Sequence, residues 1–342
     1  MDTRRGRSGS RLRTVVLLLL VAALLYVAGF MAYGLTAGAD EYLAGTPKAT
    51  ACATPGSRFG WAYEAINYDI ADDEALLDRN DDPEDCGDQG AGAGDEVMAS
   101  DGVRIAGWFI PAAVERDVPL PLVVLVHGGK SNKSGMLDYA PPFHQANDIV
   151  ILDLRNSGRS DDAFSTGGLY EQRDIEAMLD WLGEHKAVTS AVLVGNSNGA
   201  AASLAAGITL PQVRALVLDS MHATVERQIG NVIQTERHLP AWPGAWALVR
   251  GVSYRLGESL ESVDPVRQLT RWDDRPILFT HGSADVVDRP ADSLELNLAA
   301  AEAAGLSYES HVCEGAGHGR VVEVCEDAWT GWVQTFVAAV AR

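Results

Sequence analysis

Three residues far apart in the chain are of the types that nucleophilic acyl transfer needs. Ser197 stands in Gly195-Asn196-Ser197-Asn198-Gly199, a G-x-S-x-G set. Asp285 closes Thr280-His281-Gly282-Ser283-Ala284-Asp285, and His318 lies within Gly315-Ala316-Gly317-His318-Gly319. A serine hydroxyl is a weak nucleophile at neutral pH until an imidazole takes its proton; a carboxylate then fixes the tautomer of that imidazole and stabilises its protonated form. Val126-His127-Gly128-Gly129 ends an earlier apolar run, where a backbone N–H could face the same edge as Ser197 and meet an oxyanion. By itself G-x-S-x-G is weak evidence, because a glycine-rich turn with a helix-capping serine has the same letters. The chain order Ser197, Asp285, His318 adds weight, since it is the order of one known hydrolase triad.

Such side chains meet only if strands carry them to one edge. After Ser100 the chain alternates short apolar runs with longer helical patterns. The segments VRIAGWFIP, PLVVLVHGG, DIVILDLRN, SAVLVGNS, ALVLDS and PILFTHGS read as strands, rich in Val, Ile and Leu and ended by turn formers. Continuous apolar runs predict strands buried on both faces, as in a parallel sheet. Helices are predicted over 170–183, 199–207 and 291–304. The expected fold is therefore α/β, a doubly wound, mostly parallel sheet. Met221 to Trp272 interrupts the rhythm, and with Trp242, Pro243 and Trp246 inside it reads as a helical insertion over the strands' C-terminal edge.

At these residues the chain resembles the α/β-hydrolase superfamily, in particular serine hydrolases of the esterase, lipase and acylaminoacyl-peptidase-like kind. The resemblance extends to Ser100-Asp101-Gly102 with Gly107-Trp108, to Asp153-Leu154-Arg155-Asn156-Ser157-Gly158-Arg159-Ser160, and to Tyr170-Glu171-Gln172-Arg173-Asp174; it covers about Ser100 to the C-terminus and leaves residues 1 to 99 without a counterpart. It implies Ser197 as nucleophile, His318 as base and Asp285 as its orienter, with the backbone N–H groups of Asn198 and Gly129 as oxyanion donors. His127 is expected to be structural, and His281 is open to the same use. Asp288, three residues beyond Asp285, is the rival acid. Asn198 and Ala200 stand where Met or Gln and Gly are commoner, and Asp288 where Pro often follows the acid, departures that touch substrate preference. No metal or organic cofactor is implied.

Charge and hydropathy set the compartment. With 27 Lys+Arg against 47 Asp+Glu, the formal charge is 27 − 47 = −20, which argues against a nucleic-acid partner. The first thirteen residues run the other way, five arginines against Asp2, or +4. From Thr14 to Ala39 no residue is charged, long enough at 1.5 Å per residue to cross a ~30 Å hydrocarbon layer. The positive-inside rule then places residues 1–13 in the cytoplasm, 14–39 in the membrane, and a stem (40–99) and a hydrolase domain (100–342) outside. A cleaved signal peptide is the competing reading, because Ala37-Gly38-Ala39 has the shape of a cleavage site. Both readings export the chain, and Cys52, Cys86, Cys313 and Cys325 fit an oxidising compartment. Four cysteines allow three connectivities; local pairing of Cys52 with Cys86 and of Cys313 with Cys325 is the least strained.

Within the stem a short helix is predicted around Trp61 to Leu77. The acidic run after it offers Asp78, Asn80 and Asp82 in EF-hand ligand places, but Pro83 and Gln89 stand where Gly and Glu belong, so it reads as a solvated loop. The expected function is a membrane-anchored hydrolase cleaving a small-molecule acyl ester, with thioesters and amides open to the same chemistry. A catalytically silent hydrolase fold serving as a binding module, and an acyltransferase using the same triad, are the alternatives. Trp242 and Trp246 point either to an apolar acyl group or to ordinary core of the insertion.

Overall fold

A computed structural model describes residues 5–45, 53–69, 71, 97–114 and 120–340. An eight-stranded sheet runs β1 (Glu64–Ile66), β2 (Gly107–Ile110), β3 (Leu122–Val126), β4 (Ile149–Leu152), β5 (Ala191–Asn196), β6 (Val213–Asp219), β7 (Ile277–Gly282) and β8 (Tyr308–Cys313), in the spatial order β1-β2-β4-β3-β5-β6-β7-β8. The first two strands are antiparallel to their neighbours and the rest are parallel. The described helices that matter here are α1 (Arg5–Leu35), α2 (Ala37–Ala44), α3 (Glu171–His185), α4 (Asn198–Thr209), α5 (Val225–Arg237), α6 (Gly244–Leu256), α7 (Leu294–Ala304) and α8 (Glu326–Val340).

Alternation along the strands divides the core. Val124 and Val126 of β3 face α3, α4 and α7 through Ile175, Met178, Leu204 and Ala301, while Val123 and Leu125 face α8 through Trp329, Val333 and Phe336. Since both faces are covered, β3 and β4 are buried at every position, the physical cause of their unbroken apolar letters. Three further stretches of sequence meet in one ion network. Arg155, after β4, bridges Asp101 (Nη1–Oδ2 2.7 Å) and Asp174 of α3 (Nη2–Oδ1 2.7 Å), with Arg155 and Asp174 both buried. Removing one partner would leave a charge buried and unpaired, so the network fixes the loop after β4 relative to α3.

The domain begins earlier than Ser100. β1 pairs with β2 at the sheet edge, Ile66 is buried, and Asn67 donates from Nδ2 to the carbonyls of Val97 (3.0 Å) and Ile105 (2.7 Å). The helix expected around Trp61 to Leu77 is therefore corrected at its start: Glu64–Ile66 is strand β1, following a one-turn helix at Pro55–Phe59, while Ala71 is helical and residues 72–77 lie outside the described residues. The aromatics that lead into β1 pack tertiary neighbours rather than one helical face: Phe59 stacks on Trp61, Trp61 on His144, and Tyr63 meets Trp108 edge-on. The acidic run with the EF-hand-like letters, together with Cys52 and Cys86, lies outside the described residues.

Residues 221–272 do form a helical insertion, built on α5 and α6. Among the described residues one helix, spanning Arg13–Leu35, is long and apolar enough to cross a membrane.

Candidate active site

Ser197 lies between β5 and α4 with φ 52° and ψ −119°, a left-handed conformation that costs a non-glycine residue energy and is held only where the surroundings demand it. Both flanking glycines are required by space. A Cβ at Gly195 would lie 2.4 Å from the carbonyl oxygen of Gly199, and one at Gly199 would lie 2.3 Å from that of Val126. The turn is thus pressed against the end of β3, and the Ser197 N–H donates to the Asp219 carbonyl (2.8 Å). This places the hydroxyl at the strands' C-terminal edge, where ligands of open α/β sheets bind.

His318 reaches that hydroxyl from the loop after β8. Its Nε2 is 2.9 Å from Ser197 Oγ and its Nδ1 is 2.8 Å from Asp285 Oδ2, so Nδ1–H donates to the carboxylate and Nε2 is left to accept the serine proton. Asp285 Oδ1 accepts the backbone N–H groups of Val287 (2.9 Å) and Asp288 (2.8 Å), which hold the carboxylate in place. Burial opposes charge on the imidazole, but the hydrogen bond and charge of Asp285 outweigh it, and His318 is raised above the ordinary value. Asp288 Oδ2 is 3.9 Å from the same Nδ1, beyond hydrogen-bond reach. Burial pushes the Asp288 carboxyl up to about 7.

Gly129 and Asn198 come together beside Ser197: a Cβ at Gly129 would touch Asn198 Nδ2 at 3.0 Å, and one at Gly128 would touch Ser197 Cβ at 3.0 Å. Asn198 opens α4, where a helix leaves its first N–H groups without intrahelical partners. Its side-chain oxygen accepts from Gln228 Nε2 of α5 (2.9 Å), so the insertion touches the site directly. His127 and His281 serve the framework. His127 donates from Nδ1 to the Gly128 carbonyl (2.8 Å) and accepts the Leu154 N–H at Nε2 (3.0 Å), and its burial lowers its pKa. His281 Nε2 donates to the Asp288 carbonyl (2.6 Å).

Cys313 and Cys325 form a disulfide with Cα atoms 6.0 Å apart, closing the loop that carries His318.

Several groups escaped sequence reasoning. Asp219, ending β6, accepts from Tyr139 Oη (2.6 Å), Asn196 Nδ2 (2.9 Å) and Thr280 Oγ1 (2.9 Å), tying three strand ends together beneath Ser197 and His318. Its neighbour Ser220 accepts the Gly319 N–H at 3.1 Å, fastening the residue after His318. An acid closing an apolar strand was the available signal; nothing near Tyr139 or Gln228 in the sequence pointed to them. His222 is fully buried, neither ring nitrogen has a partner among the described residues, and burial lowers it to about 3. Trp246 is half-buried under Arg250, whereas Trp242 is exposed.

A family model described as the alpha/beta hydrolase fold matches residues 121–246. The uncharacterized protein YfhR of Salmonella typhi is 28% identical over 261 residues, 70% of this chain and 81% of that protein. Among solved structures, the Pyrococcus furiosus esterase Pf2001 superposes with a TM-score of 0.63 at 17% identity, covering 88% of this chain and 99% of the esterase. The Pyrococcus horikoshii acylaminoacyl peptidase does so with a TM-score of 0.52 at 16% identity; there the match covers 68% of this chain and 39% of the peptidase. The chain has the α/β-hydrolase fold that its motifs implied, with esterase and peptidase structures among its structural neighbours.

Proposed function

We propose that this protein is a membrane-anchored, extracytoplasmic serine hydrolase that cleaves an acyl ester through Ser197, His318 and Asp285. The observation that carries the reading is the continuous chain of two hydrogen bonds, 2.9 and 2.8 Å, from Ser197 Oγ through His318 to Asp285. His318 Nε2 takes the Ser197 proton as Oγ attacks the ester carbonyl carbon. The resulting oxyanion is stabilised by the N–H groups of Asn198 and Gly129, and His318 returns the proton to the departing alcohol. Water, deprotonated by the same imidazole, attacks the acyl-enzyme, and collapse of the second tetrahedral intermediate frees the acid and Ser197. Thioesters and amides differ only in the leaving group.

Anchoring is supported by the way α1 continues into α2 after Thr36. The small residues Gly38 and Ala39, which give 37–39 the look of a cleavage site, are buried in the folded protein, Ala39 completely. The arginines before Thr14 orient the helix with its N-terminus in the cytoplasm.

A fluorophosphonate probe on the full chain tests the chemistry. Covalent labelling that disappears in Ser197→Ala is expected, whereas a folded wild-type protein that takes no label would favour the silent binding module. Ester against thioester or amide follows from a panel of p-nitrophenyl esters, thioesters and anilides of rising acyl length.

A further inference from the structure

The insertion that touches the catalytic residues also packs along the end of the apolar helix. α6 lies beside α1 with a parallel, stepwise match. A Cβ at Gly244 would meet the Phe30 ring, one at Gly34 would meet Ala247, and one at Gly251 would meet the Gly34 carbonyl oxygen at 2.6 Å. Arg255, in the last turn of α6, donates to the carbonyls of Leu35 and Thr36 (both 2.8 Å) and pairs with Asp40. Phe30 is therefore level with the start of α6 and Thr36 with its end. The descending helix agrees: Ile233 of α5 packs at Gly244, and Arg237 at the end of α5 is 3.9 Å from Glu41, which bonds Tyr33.

Length then decides where the bilayer must reach. Every residue from Arg13 to Tyr26 is exposed, and burial against the domain begins at Val27 and Phe30. Thr14 to Tyr26 is 26 − 13 = 13 residues, about 20 Å of helix at 1.5 Å per residue, against a hydrocarbon layer of ~30 Å. The missing third takes about seven more residues, to the level of Tyr33. Phe30, and with it the turn from α5 into α6, lies about one helical turn inside that level. That turn reads Leu239-Pro240-Ala241-Trp242-Pro243 without a charge, and Trp242 is 65% exposed. An indole with an apolar body and one N–H donor is the side chain most at home between acyl chains and headgroups.

From this we infer that the α5–α6 corner is a second membrane contact: Trp242 and its uncharged neighbours insert into the headgroup–acyl boundary of the leaflet from which α1 emerges. The inference rests on the anchoring proposed above and deepens it, because α5 runs from that boundary to Gln228, hydrogen-bonded to Asn198 at the nucleophile turn. Membrane contact and active site are thereby the two ends of one helix, and the substrate class this geometry favours is an acyl ester dissolved in the bilayer.

Full-length protein reconstituted into phosphatidylcholine vesicles, with and without bromine on the acyl chains, provides the test. Emission of wild type minus that of Trp242→Phe isolates Trp242; Trp242→Tyr serves the same subtraction should the first variant misfold. The difference signal should fall at least twofold in brominated vesicles and resist aqueous iodide. A signal quenched by iodide and untouched by bromine, in protein that withstands alkaline carbonate extraction, would overturn the contact while leaving the anchor intact. Release of the protein into carbonate would remove the anchor itself, and this contact with it.

Discussion

The two loops that carry Ser197 and His318, the proposed nucleophile and base, are built by opposite means. At the nucleophile turn, steric exclusion does the positioning: Gly195 and Gly199 have no room for a methyl group, and Ser197 is forced into a left-handed conformation against β3. At the base, the backbone is open. Gly315 and Gly317 have nothing within 4 Å of a Cβ, and the loop is held by the Cys313–Cys325 bridge and the Gly319–Ser220 hydrogen bond. A crowded turn is rigid through local sequence, while a permissive loop becomes rigid only through tethers. An added methyl group should therefore cost folding at the first and little at the second, whereas cutting a tether of the second should cost rate as well as stability.

The largest effect tests whether the two loops act as one unit. Ser197→Ala and His318→Ala should each lower kcat by about 10⁴ or more, and the double variant should lose little beyond either alone. Activity within tenfold of wild type for either single variant would end the triad assignment. Asp285→Asn should cost on the order of 10³ in kcat, because the wrong imidazole tautomer then faces Ser197, while Asp288→Asn, 3.9 Å from Nδ1, stays within tenfold. The reverse ranking would make Asp288 the orienting acid.

The contrast in crowding is checked by adding one methyl group to each loop. Gly199→Ala, with 2.3 Å to the Val126 oxygen, should lower the melting temperature by roughly 5–10 °C, and Gly317→Ala by less than ~2 °C. Equal shifts would erase the distinction. Removing the bridge with Cys313→Ser and Cys325→Ser opens a loop of 325 − 313 + 1 = 13 residues. In the chain-entropy model that costs about 3 kcal/mol. A base displaced by 1 Å costs up to about a hundredfold, so kcat should also fall at 20 °C, where the protein stays folded. An unchanged kcat beside a lower melting point would make the bridge a staple only.

The smallest expected effect is on pH. His318 must be neutral to accept a proton, and its folded pKa lies above the ordinary 6.5 through Asp285. The acid limb of kcat/KM should therefore have its midpoint above 6.5, activity being lost as pH falls through it, and should move downward in Asp285→Asn. A midpoint below 6.5 in wild type would show that burial, not the carboxylate, dominates the imidazole.

What could be read from the letters follows how local each constraint is. The central strands were legible because both faces are buried, which leaves continuous apolar runs, and β5 with its G-x-S-x-G turn was legible because its close approach to β3 admits only glycine. β1 and β8 are harder to delimit from the letters: Glu64 and Glu309 are exposed at the sheet edges, so neither strand is uniformly apolar, and β1 reads as part of a helix. The sequence by itself determined the α/β layering, the apolar N-terminal helix and which three residue types could do acyl-transfer chemistry, since periodicity, steric need and residue type are properties of short stretches. Only the tertiary structure decided which acid lies nearer His318, that Asp219 and Tyr139 support the strand ends, and that α6 docks along α1. Those depend on distances between segments tens to hundreds of residues apart, and no local pattern encodes a distance across the fold.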